Sequence, residues 1–322
     1  MKRKRAENRE KRRKDHGKWF TFVAVLLGLT GIAVLFYPTV SNMWNTYLQS
    51  QVINSYQTSA EALVAEGKAD YSEEWERAYA YNSSIQTSTV TSLPDSFDDT
   101  ETVNPGDEYM DCLNLTGDGI MGYISIPKIN LRIPIYHTTE DDVLQKGVGH
   151  LVGSSLPVGG ESTHAVLAGH CGLPSSTLFT DLEYLEVGDH FYLYILDDIL
   201  AYEVEEILVV EPDDTESLLV QEGRDLVTLV TCTPYGVNTE RLLVRGCRVE
   251  YSEETAGEEA ETPSVNMFVR HIRWTVAGLA CLAVALPILL WMLLREKKRR
   301  RRKSADDSSK SEPEERGPDA FT

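Results

Sequence analysis

Positive charge is scarce over most of this chain. Residues 38–268 hold 9 Lys and Arg against 40 Asp and Glu, a local balance of −31, while all 322 residues together stand at −19. Nucleic-acid binding needs a basic surface, so a region this acidic is a poor candidate for it. Cysteine is scarce too. The five are Cys112, Cys171, Cys232, Cys247 and Cys281, and no two have C-x-x-C spacing. That argues against a zinc knuckle and against the dense disulfide framework of small secreted domains. No internal repeat is present. Proline is missing from residues 41–82, where WNTYLQSQVINSYQTSAEALVAEG and SEEWERAYAYN carry apolar residues at helical spacing. Ser72 ahead of Glu73 and Glu74 reads as a helix start.

Two stretches lack charge altogether. Trp19 to Tyr37 reads WFTFVAVLLGLTGIAVLFY, and Trp274 to Leu294 reads WTVAGLACLAVALPILLWMLL. About 20 helical residues span ~30 Å, the thickness of a bilayer's hydrocarbon core. A basic block, MKRKRAENREKRRKDHGK, precedes the first run, and REKKRRRRK follows the second. The first run is long for a signal peptide and no small-x-small cleavage site follows it, so it reads as an uncleaved anchor. Pro287 lies inside the second run, where membrane helices tolerate proline. The positive-inside rule then holds both termini in the cytoplasm and the region between the runs outside the cell; Arg270, His271 and Arg273 on the outer flank are outnumbered.

From Gly122 the texture changes. GYISIPKINLRIPIYH alternates apolar and polar residues, and STHAVLAGH, HFYLYILDDILAYEVEEILVVEP, LVTLVTCTP and RLLVRGCRVEY continue in β-branched and aromatic residues. Short strands spaced by about ten residues indicate a mainly β barrel or sandwich. Short helices are expected at EDDVLQKG and SSTLFTDLEYL.

Three residues in this β region carry chemistry. Cys232 ends the apolar run LVTLVTC before the turn TPYG, so it is held rigidly where the chain leaves a sheet. Such a cysteine is either a small buried hydrophobe or a nucleophile, and the latter needs a cation or imidazole nearby to supply thiolate. His170 ends HAVLAGH, between Gly169 and Gly172, and Arg241 opens RLLVRG. Each alone has a structural reading. Together they are three groups at strand ends of one domain. The short loop TPYGVNTE makes the Cys232 and Arg241 strands a hairpin, which brings a fixed positive charge to the thiol.

Those segments carry a resemblance. TLVTC (Thr228 to Cys232) matches the TLxTC signature of sortases, HAVLAGHCGLP resembles the family's histidine segment, and CTPYGVNTERLLVRG its arginine segment. The likeness runs from about Gly122 to Val249. The N-terminal helical extension, the second membrane run and the phrase GVGHLVGSSLPVGG are similar to those of class C, pilus-polymerising sortases. The resemblance implies an eight-stranded β-barrel enzyme with no cofactor or metal. It implies cleavage of an LPxTG-like signal between Thr and Gly, with Cys232 as nucleophile, His170 as acid and base, and Arg241 at the oxyanion. Thr231 would assist positioning. The implied partners are LPxTG-type precursors and a lysine-bearing pilin acceptor. Anchoring of single proteins to cell-wall peptide, or a non-catalytic assembly scaffold, are the alternatives.

Two departures stand out. Where class C relatives carry an Asp-Pro-aromatic lid, this chain has Asp95-Ser96-Phe97. Either Asp95 pairs with Arg241 while Phe97 covers Cys232, or the stretch is a plain acidic linker. Cys171 stands where relatives often have arginine, as a second thiol or a small filler. The expected organisation is a basic cytoplasmic segment (1–18), a transmembrane helix (19–37), a helical extension (38–90), a linker or lid (91–118) and the barrel (119–251). An acidic stalk (252–273), a transmembrane helix (274–294) and a cytoplasmic tail (295–322) complete it. The acidic surface gives solubility or attracts lysine-bearing substrates.

Overall fold

The computed structural model describes residues 2–65, 71–87, 93–97 and 105–253, with isolated positions between 256 and 298. The chain divides into two units, residues 1–36 with 270–322 and residues 37–269. Helix α1 (Lys2–Ala65) includes the first apolar run. Its segment Val25–Ala60 is the one helix among the described residues long and apolar enough to cross a membrane, with a mean hydropathy of 1.5 over its most apolar window. Leu27, Leu29 and Val34 on it are exposed. The second apolar run, 274–294, lies largely outside the described residues; the isolated positions described there are helical.

Eight strands close a barrel in the order β1-β2-β3-β4-β7-β8-β6-β5. They are β1 (Ile120–Ile126), β2 (Leu131–His137), β3 (Val148–His150), β4 (Thr163–Ala168), β5 (His190–Ile195), β6 (Asp198–Val210), β7 (Asp225–Thr233) and β8 (Glu240–Val249). Pairing is antiparallel except for β2 with β3 and β4 with β7. Strands β1 and β2 are joined by a 3-10 turn that ends at Asn130 in the left-handed region, which asparagine tolerates.

Side chains alternate across a strand, so each strand has an inner and an outer face. Ala165 and Leu167 of β4, Val227 and Leu229 of β7, and Leu242 and Val244 of β8 point into the barrel with Phe179, Phe191 and Tyr202. Each fully buried side chain of this size contributes roughly 1.5–3 kcal/mol. The opposite face of the same strands is apolar as well. Val166 and Ala168, Val230, and Leu243 form a second cluster with Leu144 and Leu151. β4 is buried at all six positions, which is why THAVLA reads as a continuous apolar run rather than an alternating one.

The helical extension is sewn to the barrel by polar pairs. Tyr56 Oη of α1 donates to Met121 O at 3.1 Å and accepts from Leu196 N at 2.9 Å. On α2 (Ser72–Thr87), the Asn82 amide donates to Leu156 O and accepts from Leu156 N at 2.7 Å. The region expected as linker contains a helix, α3 (Gly106–Asp111). Its Tyr109 is fully buried and donates to His150 Nδ1 at 2.9 Å. The polar composition around it masks this short helix, whose stability comes from one buried aromatic ring rather than from periodicity.

Candidate active site

Cys232 sits one residue from the end of β7 and is paired in register with Arg241 at the start of β8. Alternation places both on the outer face, with Val230 and Leu243. β4 runs parallel to β7 with Ala168 opposite Val230, and Gly169 N donates to Val230 O at 3.0 Å. β4 ends at Ala168, and His170 follows two residues on, at the end of the strand that runs beside β7; extension of the register by two residues would set it level with Cys232. Thr231 turns inward and donates to Gly169 O at 2.6 Å, tying the residue before the thiol to the residue before the imidazole. Gly169 has no room for a side chain, since a Cβ there would lie 2.8 Å from the Phe179 ring.

Asp95 lies over this face. Its carboxylate takes both forks of the Arg241 guanidinium, Nε to Oδ1 at 2.9 Å and Nη2 to Oδ2 at 2.6 Å. Phe97 packs on the His170 ring, centroids 5.7 Å apart, and lies 5.3 Å from the Arg241 guanidinium carbon. Leu93 belongs to the outer apolar cluster. Pro94, Asp95 and Ser96 fill the groove between Val210, Leu218 and Val230 so closely that a cavity of about 10 Å³ remains. A larger cavity of about 450 Å³, lined by Leu93, His164, Leu218 and Glu222, adjoins it. Of the two, the smaller one is lined by Asp95 and Arg241.

Burial pushes the Cys232 thiol up from its usual range; Arg241 opposes the shift and Asp95 adds to it. Cys232 is 8% exposed. Burial works most strongly against the Arg241 charge, but the Asp95 hydrogen bonds together with the charges of Cys232 and Asp95 outweigh it, and the guanidinium is held even more firmly protonated. In this arrangement the thiol is covered and its supporting cation is neutralised by a carboxylate. Removing Asp95 would favour the thiolate and free the Arg241 donors.

Cys112, Cys171, Cys232 and Cys247 are not joined in disulfides, and Cys281 lies outside the described residues. Among the described residues no group of three or more His, Cys, Asp or Glu is arranged to hold a metal ion. Sequence reasoning missed one group. Asp141, at the start of α4 (Asp141–Leu144), places Oδ1 3.7 Å from His170 Nε2. The segment EDDVLQKG signals a helix start, but nothing in it points to an imidazole some thirty residues onward.

A closed eight-stranded barrel with a cysteine and an arginine paired at strand ends, and a histidine strand running beside them, defines a cysteine-dependent acyl-transfer site. The sortase-domain family matches residues 124–249. Sortase C of Streptococcus pneumoniae is 42% identical, with a TM-score of 0.55, covering 62% of this chain and 97% of its own. Sortase C1 of Streptococcus agalactiae is 45% identical, TM-score 0.56, covering 63% and 100%. Sortase D of Bacillus subtilis is 35% identical over 131 residues, 40% of this chain; the match spans 63% of that relative's length. The chain belongs to the sortase family, a family of cysteine transpeptidases, and its solved relatives include class C sortases.

Proposed function

We propose that this protein is a membrane-anchored class C sortase that cleaves an LPxTG-like sorting signal between Thr and Gly and joins the Thr carbonyl to a lysine amine of a pilin subunit. The observation that carries the reading is the pairing of Cys232 with Arg241 on one face, with His170 following β4 beside them. In the first step the Cys232 thiolate attacks the Thr carbonyl carbon and the carbonyl oxygen takes the negative charge. Arg241 donates to that oxyanion. The C–N bond to Gly then breaks, and the His170 imidazolium gives its proton to the leaving amine. A thioester between Cys232 and the substrate remains. The lysine amine attacks it, His170 takes the amine proton, and collapse forms the isopeptide and returns the thiolate.

Asp95 and Phe97 act in this reading as a lid that must leave before a substrate can lie along Val210, Leu218 and Val230. The Ser96 in place of proline leaves the Asp95 contact with Arg241 intact. The sortase C of S. pneumoniae has pilin substrates, and likeness to that enzyme favours polymerisation over anchoring of single proteins. The reading has two membrane helices at 19–37 and 274–294, both termini in the cytoplasm and the barrel outside.

The test is direct. Incubation of the full-length protein with a sorting-signal peptide should give a mass adduct of the acyl fragment on Cys232. Cells carrying Cys232→Ala should lose their pilus ladder; an unchanged ladder would leave the barrel as a scaffold. Hydrolysis that an added amine does not divert would make the enzyme a protease.

A further inference from the structure

We infer that Asp141 is a positioning residue for His170, orienting the imidazole through Nε2 and favouring its protonated form. The inference rests on the active-site reading proposed for Cys232, His170 and Arg241. Three observations carry it. Asp141 Oδ1 stands 3.7 Å from His170 Nε2. Its other oxygen, Oδ2, accepts from Gln145 Nε2 at 2.7 Å, one turn along, so the carboxylate is turned rather than free to wander. The platform under it is fixed: Leu144 of α4 is 2% exposed and packs in the outer apolar cluster with Val166 and Val230.

A polar stripe on α1 fastens both sides of this contact. Gln49 Nε2 donates to Lys146 O at 3.0 Å, just past α4. Asn45 Nδ2 donates to Ser175 O at 2.8 Å, and Asn42 Oδ1 accepts from Thr177 N and Thr177 Oγ1 at 2.8 and 2.9 Å. Residues 175–177 belong to the loop that follows His170. One helix thus sets the spacing between the carboxylate and the imidazole.

Asp141 is not part of the lid. When Asp95 and Phe97 leave, His170 loses a ring neighbour and Arg241 its carboxylate, but Asp141 stays. Among the described residues, the charged and titratable groups that remain around this face include Asp141 from α4, 3.7 Å from the imidazole, and the paired Cys232 of β7 and Arg241 of β8. A proton held on Nε2 toward the carboxylate leaves Nδ1 as the nitrogen that trades protons with the thiol and the amines. The logic is that of an Asp-His pair fixing a tautomer. The contact is longer than a hydrogen bond and Asp141 is well exposed, so its effect is a modest, salt-sensitive bias.

The test reads Cys232 thiolate directly. Full-length protein in detergent, carrying Asp95→Ala to release the lid, is treated with iodoacetamide from pH 5 to pH 10. Alkylation of Cys232 is followed by mass spectrometry of its peptide. Asp141→Asn should slow the reaction about 2- to 5-fold near pH 7 at low salt and leave it unchanged where the thiol is fully ionised. Asp141→Glu should restore the parent profile. A profile superimposable on the parent, or one lowered equally at every pH, overturns the inference. His170→Gln is the separate control. If it leaves Cys232 alkylation unchanged, the active-site reading itself fails, whatever Asp141 does.

Discussion

Asp95 and Arg241 meet fork to fork, 2.9 and 2.6 Å apart at their two contacts, across 146 residues of sequence. Both side chains are largely buried, at 15% and 11% exposure. A buried two-point pair loses far more when one partner is removed than the pair itself contributes, because the other charge is left without compensation. Here the survivor, Arg241, is the group that the proposed chemistry needs. Asp95→Ala should therefore lower global stability by about 1–3 kcal/mol and raise the rate at which a sorting peptide acylates Cys232. Thermal melts and single-turnover acylation read the two effects. A faster reaction without any loss of stability would mean the pair is not formed in solution.

Phe97 separates coverage from charge. It packs on His170 and lies beside Arg241, while the carboxylate contact belongs to Asp95. Phe97→Ala should leave the ion pair in place and still increase alkylation of Cys232 by iodoacetamide at neutral pH. The gain should be smaller than that of Asp95→Ala, since Arg241 stays neutralised. Equal gains from both variants would show that the lid leaves as one piece.

Arg241 is not replaceable by lysine in this reading. A guanidinium offers donors in a fixed plane, and an ammonium is a point charge. Arg241→Lys should reduce acylation about 10²–10³-fold, the range for loss of an oxyanion donor, with the protein still folded by circular dichroism. Rapid-quench measurement of the thioester step tests this; a change confined to KM would assign Arg241 to substrate binding instead.

Much of this was legible because strand ends are legible. LVTLVTC and HAVLAGH announce strands that end within two residues of Cys232 and His170, and the short loop TPYGVNTE forces β7 and β8 to pair, which sets Cys232 opposite Arg241. The parallel pairing of β4 with β7 was not legible, because no loop length specifies it. α3 was hidden in polar sequence and is held by Tyr109 against His150. Asp141 was hidden for a different reason: its partner is distant in sequence and the contact depends on where α1 clamps two loops.

Thr231 offers a test of backbone precision. Its hydroxyl donates to Gly169 O at 2.6 Å within the barrel wall, so Thr231→Val keeps shape and removes one buried bond. The loss should be about 1–2 kcal/mol and acylation should fall roughly 10-fold, with the change in kcat rather than KM, because small misplacement of a reacting pair is costly. Thr231→Ser should recover most of both.

Two fully buried histidines set the acid limit of the fold. His150 Nε2 donates to Ser155 O at 2.8 Å and its Nδ1 accepts from Tyr109 Oη. His164 Nδ1 donates to Leu219 O at 2.9 Å and its Nε2 accepts from Thr228 Oγ1 at 2.7 Å. A second proton on either ring would force its hydroxyl partner, Tyr109 or Thr228, to turn from donor to acceptor. Burial drives both down to about 4, and Arg245 and Arg224 add to the effect at His164. In the unfolded chain both return to about 6.5. As pH falls from 6.5 toward 4 the unfolded state binds protons that the folded state refuses, so stability drops, by up to about 3 kcal/mol for each ring. His164→Gln can donate and accept in similar directions but cannot titrate. Its Tm should be lower than the parent's at pH 7.5, and its further loss on acidification to pH 4.5 should be smaller. Parallel loss of Tm in the two proteins would assign the acid sensitivity to carboxylates held low in the folded state instead, with Glu205, kept below its ordinary range against its burial by the Arg224 and Arg245 contacts, the next group to test.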